Sequence, residues 1–142
     1  LLDVGSFDES FNHGEDHELW LRLARTFPAV VFGNPTSRYR VHEAGLSGSW
    51  KERSKLFYQY NIVVLDRHRA KFPSSLARAA VAGNYASFAY YLLCQGELKE
   101  AMTMAERSLK TRPNLAALRT YIEARYPDGY AWLSRRLRMG RA

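Results

Sequence analysis

The sequence predicts an α+β fold that is mostly helical, in which a short segment of helix and strands precedes a helical bundle. Residues 1–50 are rich in glycine, proline and other turn-forming residues, whereas residues 51–142 contain few such interruptions. The 142 residues are 46% hydrophobic and 13% aromatic, which is sufficient for a globular core. We therefore expect two regions, residues 1–50 and residues 51–142.

The first predicted element is an amphipathic helix over residues 15–27. Its apolar side chains recur at three- and four-residue spacing: Leu19, Trp20, Leu23, Ala24 and Phe27. Acidic residues occupy the first turn and arginines the later turns, an order that the helix dipole favours. Pro28 is expected to end this helix.

Two short strands are predicted after this helix, over residues 29–32 and 37–42. A Gly-Asn-Pro turn separates them, and Tyr39 and Val41 share one face of the second strand. Residues 43–49 contain two glycines and are expected to form a loop.

The second region is predicted to be entirely helical. A helix over residues 51–72 has a buried stripe of Leu56, Tyr60 and either Val63 or Val64, and Pro73 ends it. Residues 82–115 match the tetratricopeptide pattern of two antiparallel helices, with a turn at residues 95–97. Small residues such as Ala89 and Ala101 are expected to allow close helix approach. A single repeat needs support from the helices on either side of it.

The charge of the chain is unevenly distributed. Residues 1–50 hold four arginines and seven acids, which gives them a net charge of −3. Because the whole chain has a net charge of +7, residues 51–142 have a net charge of +10. Either the basic region is a solvated helical surface, or it is attracted to an anionic membrane face or a phosphate-bearing substrate. No nucleic-acid recognition motif accompanies this charge, so nucleic acid is not an expected partner.

No apolar stretch approaches the roughly 20 residues of a membrane-spanning helix, and no signal peptide is evident. The single cysteine, Cys94, cannot form an internal disulfide. We expect a cytoplasmic protein, either free or peripheral at the inner membrane surface.

Three segments occur in an order typical of one enzyme family: residues 4–11 (VGSFDESF), residues 14–24 (GEDHELWLRLA) and residues 39–42 (YRVH). Together they resemble the family-2-type inverting glycosyltransferases of the GT-A fold. The resemblance covers roughly residues 1–50 and implies the carboxy-terminal, acceptor-side part of such an enzyme, with a role in cell-envelope polysaccharide synthesis. The donor-binding half and its Asp-x-Asp motif are absent from these 142 residues, so the chain alone is expected to be inactive.

The resemblance also implies roles for individual residues. Asp16 is the expected general base, which takes the proton of the acceptor hydroxyl as that hydroxyl attacks the sugar of a nucleotide-sugar donor. Glu15 and Arg40 are expected substrate contacts. Trp50 is a further expected contact if the glycine-containing loop before it closes over the donor, and the alternative is that this loop is only a linker. His42 is the expected ligand of a Mn²⁺ or Mg²⁺ ion bound with the donor diphosphate, although one histidine alone does not make a metal site. The expected acceptor is a glycan, a lipid-linked sugar or a protein.

Simpler interpretations exist for the same residues. Glu15 and Asp16 taken as an isolated pair would only favour the helix dipole, and Arg40 alternates with Tyr39 and Val41 as a solvent-facing strand residue would. The alternative function is a helical module that binds a protein partner, or a second copy of the chain, without catalysis.

Overall fold

The computed structural model describes residues 3–11, 13–30, 32–38 and 50–129, with the backbone alone for residues 50–54. These residues contain five α-helices, α1 to α5 in chain order, and a 3-10 turn at Arg69–Lys71 between α2 and α3. The helices are Glu15–Thr26, Trp50–His68, Ser74–Cys94, Leu98–Thr111 and Leu115–Arg125. The described residues up to Val64 belong to one compact unit, and those from Leu65 onward belong to a second.

The predicted α+β fold is wrong, because the described residues are helical or irregular and contain no strand. In the first predicted strand, the described residues 29, 30 and 32 are irregular, and Val30 and Phe32 are 75% and 72% exposed. A strand requires a neighbour that pairs with its backbone N–H and C=O groups, and no described segment supplies one here. In the second predicted strand, residues 37 and 38 are also irregular, and residues 39–42 lie outside the described part of the chain.

Helix α1 confirms the first predicted helix to within one residue. It follows Gly14, whose φ of 75° is a left-handed conformation that glycine adopts without strain. Its hydrophobic face is only partly buried: Leu19 is 7% exposed, whereas Trp20 is 61% exposed. In α2 the predicted stripe is likewise incomplete, because Val64 is fully buried and Leu56 is exposed.

The second unit is a helical bundle in which α3, α4 and α5 all pack against one another. Alanines are fully buried along α3 and α4, at Ala89, Ala101 and Ala105, and Leu92 is fully buried beside them. Side chains this small let two helix backbones approach closely, as expected from the sequence. The tetratricopeptide assignment itself stays a prediction, because such a helical hairpin occurs in many folds.

A glycine turn reverses the chain between α3 and α4. Gly96 has a φ of 78°, its N–H donates to the carbonyl of Leu93 (3.0 Å), and the N–H of Glu97 donates to the carbonyl of Leu92 (2.9 Å). This pair of bonds satisfies the last carbonyls of α3 and is the Schellman arrangement that favours glycine.

A buried polar relay connects α4 to the helices on either side of it. The hydroxyl of Ser108 donates to the carbonyl of Ala82 on α3 (2.7 Å) and accepts from the Asn114 side-chain amide (2.9 Å). The Asn114 side-chain oxygen accepts from the N–H of Ala117 (2.8 Å) and so caps α5. Among the described helices, none is both long and apolar enough to cross a membrane.

Candidate functional site

The predicted base, Asp16, lies in the first turn of α1 and is exposed. One of its carboxylate oxygens, Oδ1, accepts a hydrogen bond from the backbone N–H of His17 (2.7 Å). Glu15, directly before it, is half-buried. The positive end of the helix dipole favours a carboxylate at this position. Asp16 therefore presents an accessible carboxylate on the end of a regular helix.

The third acid of this turn, Glu18, has a different role. It is only 2% exposed, and its two carboxylate oxygens each lie 2.9 Å from Nε of Arg22, one turn further along α1. A terminal nitrogen of Arg22, Nη2, lies 2.8 Å from Glu18 Oε2. This charge-assisted fork fixes the plane of the guanidinium group. The carboxylate of Glu18 is thus buried in an ion pair with Arg22 and is not available as a base.

The same guanidinium group connects α1 to the preceding loop. Arg22 Nη1 donates to the carbonyl of Val4, and Nη2 donates to the carbonyl of Ser6 (2.6 Å). Between these carbonyls, Gly5 has a φ of 80°, and a Cβ atom at this position would lie 3.3 Å from Arg22 Nη1. Glycine is required here for its conformation and for the close approach. We call Glu18, Arg22 and the two carbonyls the arginine clamp.

Residues 8–11 form a compact turn at the end of this loop. Asp8 accepts the N–H of Ser10 through its side chain (2.9 Å) and the N–H of Phe11 through its carbonyl (3.1 Å). Phe11 is 7% exposed, which anchors the loop in the first unit. The clamp and this turn bring together the first two of the three sequence segments that carry the family resemblance.

Two histidines near Asp16 contact α2 within the first unit. His17 Nδ1 lies 2.7 Å from the side-chain oxygen of the buried Asn61. Because an amide side-chain oxygen is only an acceptor, Nδ1 of His17 is the donor in this bond. His13 stacks on Tyr60, with ring centroids 5.0 Å apart.

The other predicted site residues fall where the structure gives no side chains. Arg40 and His42 lie outside the described residues, and Trp50 is the first residue of α2 with only its backbone described. Within the described part of the chain, no three histidine, cysteine or acidic side chains are grouped so as to hold a metal ion. The described residues therefore do not form a site for the expected Mn²⁺ or Mg²⁺ ion.

Sequence reasoning assigned Glu18 and Arg22 only to the helix dipole and missed the arginine clamp. Their four-residue spacing is the signal for an ion pair on one helix face. That spacing does not reveal burial or the carbonyl partners. No local pattern indicates the His17–Asn61 bond, because its partners are 44 residues apart.

Comparisons with known protein families, with curated proteins and with solved structures find no match to this chain. The glycosyltransferase interpretation therefore depends on the residues of the chain and on their arrangement.

Proposed function

We propose that this chain is the acceptor-side, carboxy-terminal part of an inverting glycosyltransferase, with Asp16 as its general base. The donor is a nucleotide-sugar, and the acceptor is a glycan, a lipid-linked sugar or a protein. Residues 51–142 serve as a helical extension of this enzyme.

The observation that carries the proposal is the position of Asp16. Its carboxylate is exposed at the first turn of α1, and the arginine clamp holds the loop of residues 4–6 against the same helix. The base lies on α1, and the loop assigned to the acceptor side is bonded to the same helix through Arg22. Rigid placement matters because proton transfer requires the base within about 3 Å of the hydroxyl oxygen.

The chemistry needs one proton acceptor on the acceptor side. As the acceptor oxygen attacks the anomeric carbon, Asp16 takes the proton from that oxygen, and the bond to the nucleoside diphosphate breaks on the opposite face of the sugar. In this mechanism Glu15, the neighbour of Asp16 in the chain, orients an acceptor hydroxyl. Glu18 is excluded from the role of base because it is buried in the clamp.

Exposed apolar side chains in the first unit also support the proposal. They are Phe7, Trp20, Phe27, Val30, Phe32, Leu56, Phe57 and Val63. Large apolar side chains left in water are of the kind that a contact with further protein can cover. In the proposed enzyme, the donor-binding half packs against the first unit and supplies the Asp-x-Asp ligands of the Mn²⁺ or Mg²⁺ ion, with His42 as an accessory ligand.

The test uses the protein encoded by the complete gene, because the proposed donor site lies outside these residues. A panel of nucleotide-sugars is incubated with candidate acceptors and Mn²⁺ or Mg²⁺, and released nucleoside diphosphate is measured. We expect turnover with one donor, and a loss of at least about 100-fold in Asp16→Asn, since a positioned base contributes about 10² to 10⁴ in rate.

The matched control is Asp128→Asn, which removes an exposed acid from the second unit. It is expected to retain the wild-type rate. The proposal fails if no donor is turned over, or if Asp16→Asn and Asp128→Asn are equally active.

A further inference from the structure

Helix α5 has two apolar faces of different character. Ala117, Thr120 and Ala124 are buried against the bundle, with exposed fractions of 4% or less. Large apolar side chains are exposed along the same helix: Leu115 (84%), Leu118 (44%), Ile122 (42%) and Tyr126 (60%). We call these four residues the α5 stripe.

The α5 stripe lies on the side of the helix opposite the bundle. At about 100° per residue, Leu115, Ile122 and Tyr126 fall within about 20° of one line, and Ala117 and Ala124 fall near the opposite line. Leu118, the fourth residue of the stripe, is offset from this line by about 60°. Small residues face the bundle and large apolar residues face outward. Because a helix face in contact with water is usually polar, the large apolar residues indicate a second helix contact on this face.

Charged side chains flank one edge of this stripe. Arg119 and Glu123 are 67% and 30% exposed, and their charged groups are 3.9 Å apart. Tyr90 of α3 lies close enough to both for electrostatic interaction, and a hydrogen bond with Cys94 raises the pKa of its hydroxyl. A basic and an acidic residue on one edge make this surface complementary to itself.

We propose that the α5 stripe is the contact surface of a homodimer, in which α5 packs antiparallel against α5 of a second copy about a two-fold axis. This inference is independent of the proposed glycosyltransferase function.

The register follows from the helix geometry. A two-fold axis level with residue 121 places Arg119 of each copy opposite Glu123 of the other, because both lie on the same edge and two residues from the axis. The same axis brings the two Ile122 side chains together at the centre. Leu115 of one copy then lies within about one residue of the level of Tyr126 of the other. In this single register the two apolar stripes contact each other, and Arg119 and Glu123 pair with each other between the copies.

The dimer is expected to be weak. The stripe spans eleven residue steps, or about 16 Å, and is one helix wide. The area that such a stripe can bury is smaller than the roughly 800 Å² per partner of a standard stable interface. We expect a dissociation constant on the order of 100 µM. Sedimentation velocity of the 142-residue chain between about 10 and 500 µM covers this range.

The first variant places a charge at the two-fold axis. Ile122→Asp sets two carboxylates opposite each other in apolar surroundings and is expected to abolish the dimer. Leu76→Asp is the matched control, because Leu76 is 57% exposed on α3 and outside the stripe. Circular dichroism confirms that both variants keep their helices.

A charge exchange then tests the register. Arg119→Glu sets two acids opposite each other in both cross-dimer pairs, and Glu123→Arg sets two bases there. Each variant alone therefore opposes like charges and should bind itself at least about tenfold more weakly than the wild type. An equimolar mixture of the two opposes unlike charges in both pairs and should recover wild-type affinity. A role of these residues within one helix would not produce this recovery.

The expected results are a concentration-dependent dimer, its loss in Ile122→Asp but not in Leu76→Asp, and its recovery in the mixture. A chain that stays monomeric to 500 µM overturns the proposal. So does association that persists in Ile122→Asp, and so does a mixture no tighter than its two components.

Discussion

The two units of this chain are stabilised by different means. In the second unit, small side chains are fully buried between helices, and Gly96 and Asn114 satisfy the helix ends. In the first unit, the best-defined contact is polar, since the arginine clamp holds a loop to α1 while many large apolar side chains remain exposed.

This difference separates a unit with a tightly packed core from a unit whose best-defined contact is a polar clamp. Burial of apolar area is the main source of folding free energy, and the first unit leaves much of that area in water. Its clamp instead defines geometry, because a forked ion pair and two carbonyl bonds fix one arrangement of loop and helix. We therefore expect the first unit to be sensitive to single polar substitutions and the second to changes in side-chain volume.

The largest effect is expected from Arg22→Met. It removes both carbonyl bonds and takes the Arg22 guanidinium away from the buried carboxylate of Glu18, a loss that typically costs about 3–5 kcal/mol. Hydrogen exchange measured on peptides should show faster exchange in residues 15–26 and unchanged exchange in residues 98–111. Arg25→Met, which changes an exposed arginine of the same helix, is the control. Equal exchange in the two variants would show that the clamp does not stabilise the first unit.

The reverse pattern is expected from Ala101→Leu. Ala101 is fully buried in the second unit, and the larger side chain forces the helices apart at a cost of about 1–3 kcal/mol. Exchange should accelerate in residues 98–111 and stay unchanged in residues 15–26. Lys99→Leu adds a leucine at an exposed position of α4 and should have no such effect. Tolerance of Ala101→Leu would refute close packing at this site.

A smaller loss is expected from Asn114→Ala. The substitution removes the cap of α5 and the donor to Ser108, for a cost of about 1 kcal/mol in urea unfolding. Thr103→Ala removes an exposed hydroxyl that bonds only within its own helix and should change stability much less. If the two variants unfold at the same urea concentration, the Asn114 relay contributes nothing measurable.

The smallest effect has the opposite sign. Gly83 lies exposed inside α3, and nothing lies within 4 Å of an added Cβ atom, so Gly83→Ala should stabilise the second unit by about 0.5–1 kcal/mol. Gly96→Ala should instead destabilise it, because Gly96 has a φ of 78°. Thermal unfolding distinguishes the two variants, because the unfolding temperature should rise in Gly83→Ala and fall in Gly96→Ala. A change in the same direction in both variants would contradict the turn assigned at Gly96.

The sequence predicted the helices well because their signals are local. Pro28 and the spacing of Leu19, Leu23 and Phe27 located α1, and the alanine pattern located the buried contact of α3 with α4. The predicted strands are absent from the described residues because β-propensity is a local signal, whereas a strand depends on a partner that is often distant in sequence.

The candidate site was predictable only in part, for the same reason. The position of Asp16 follows from its place at the start of a helix. The burial of Glu18 and the bond between His17 and Asn61 depend on segments far apart in the chain, and no local pattern reports them.

The most direct test of the central claim is a single-turnover measurement on the protein encoded by the complete gene, with saturating donor and acceptor. The proposed function predicts that Asp16→Asn slows sugar transfer about 10² to 10⁴-fold while the dissociation constant of the donor stays unchanged. A transfer rate within about threefold of wild type would contradict the assignment of Asp16 as the base.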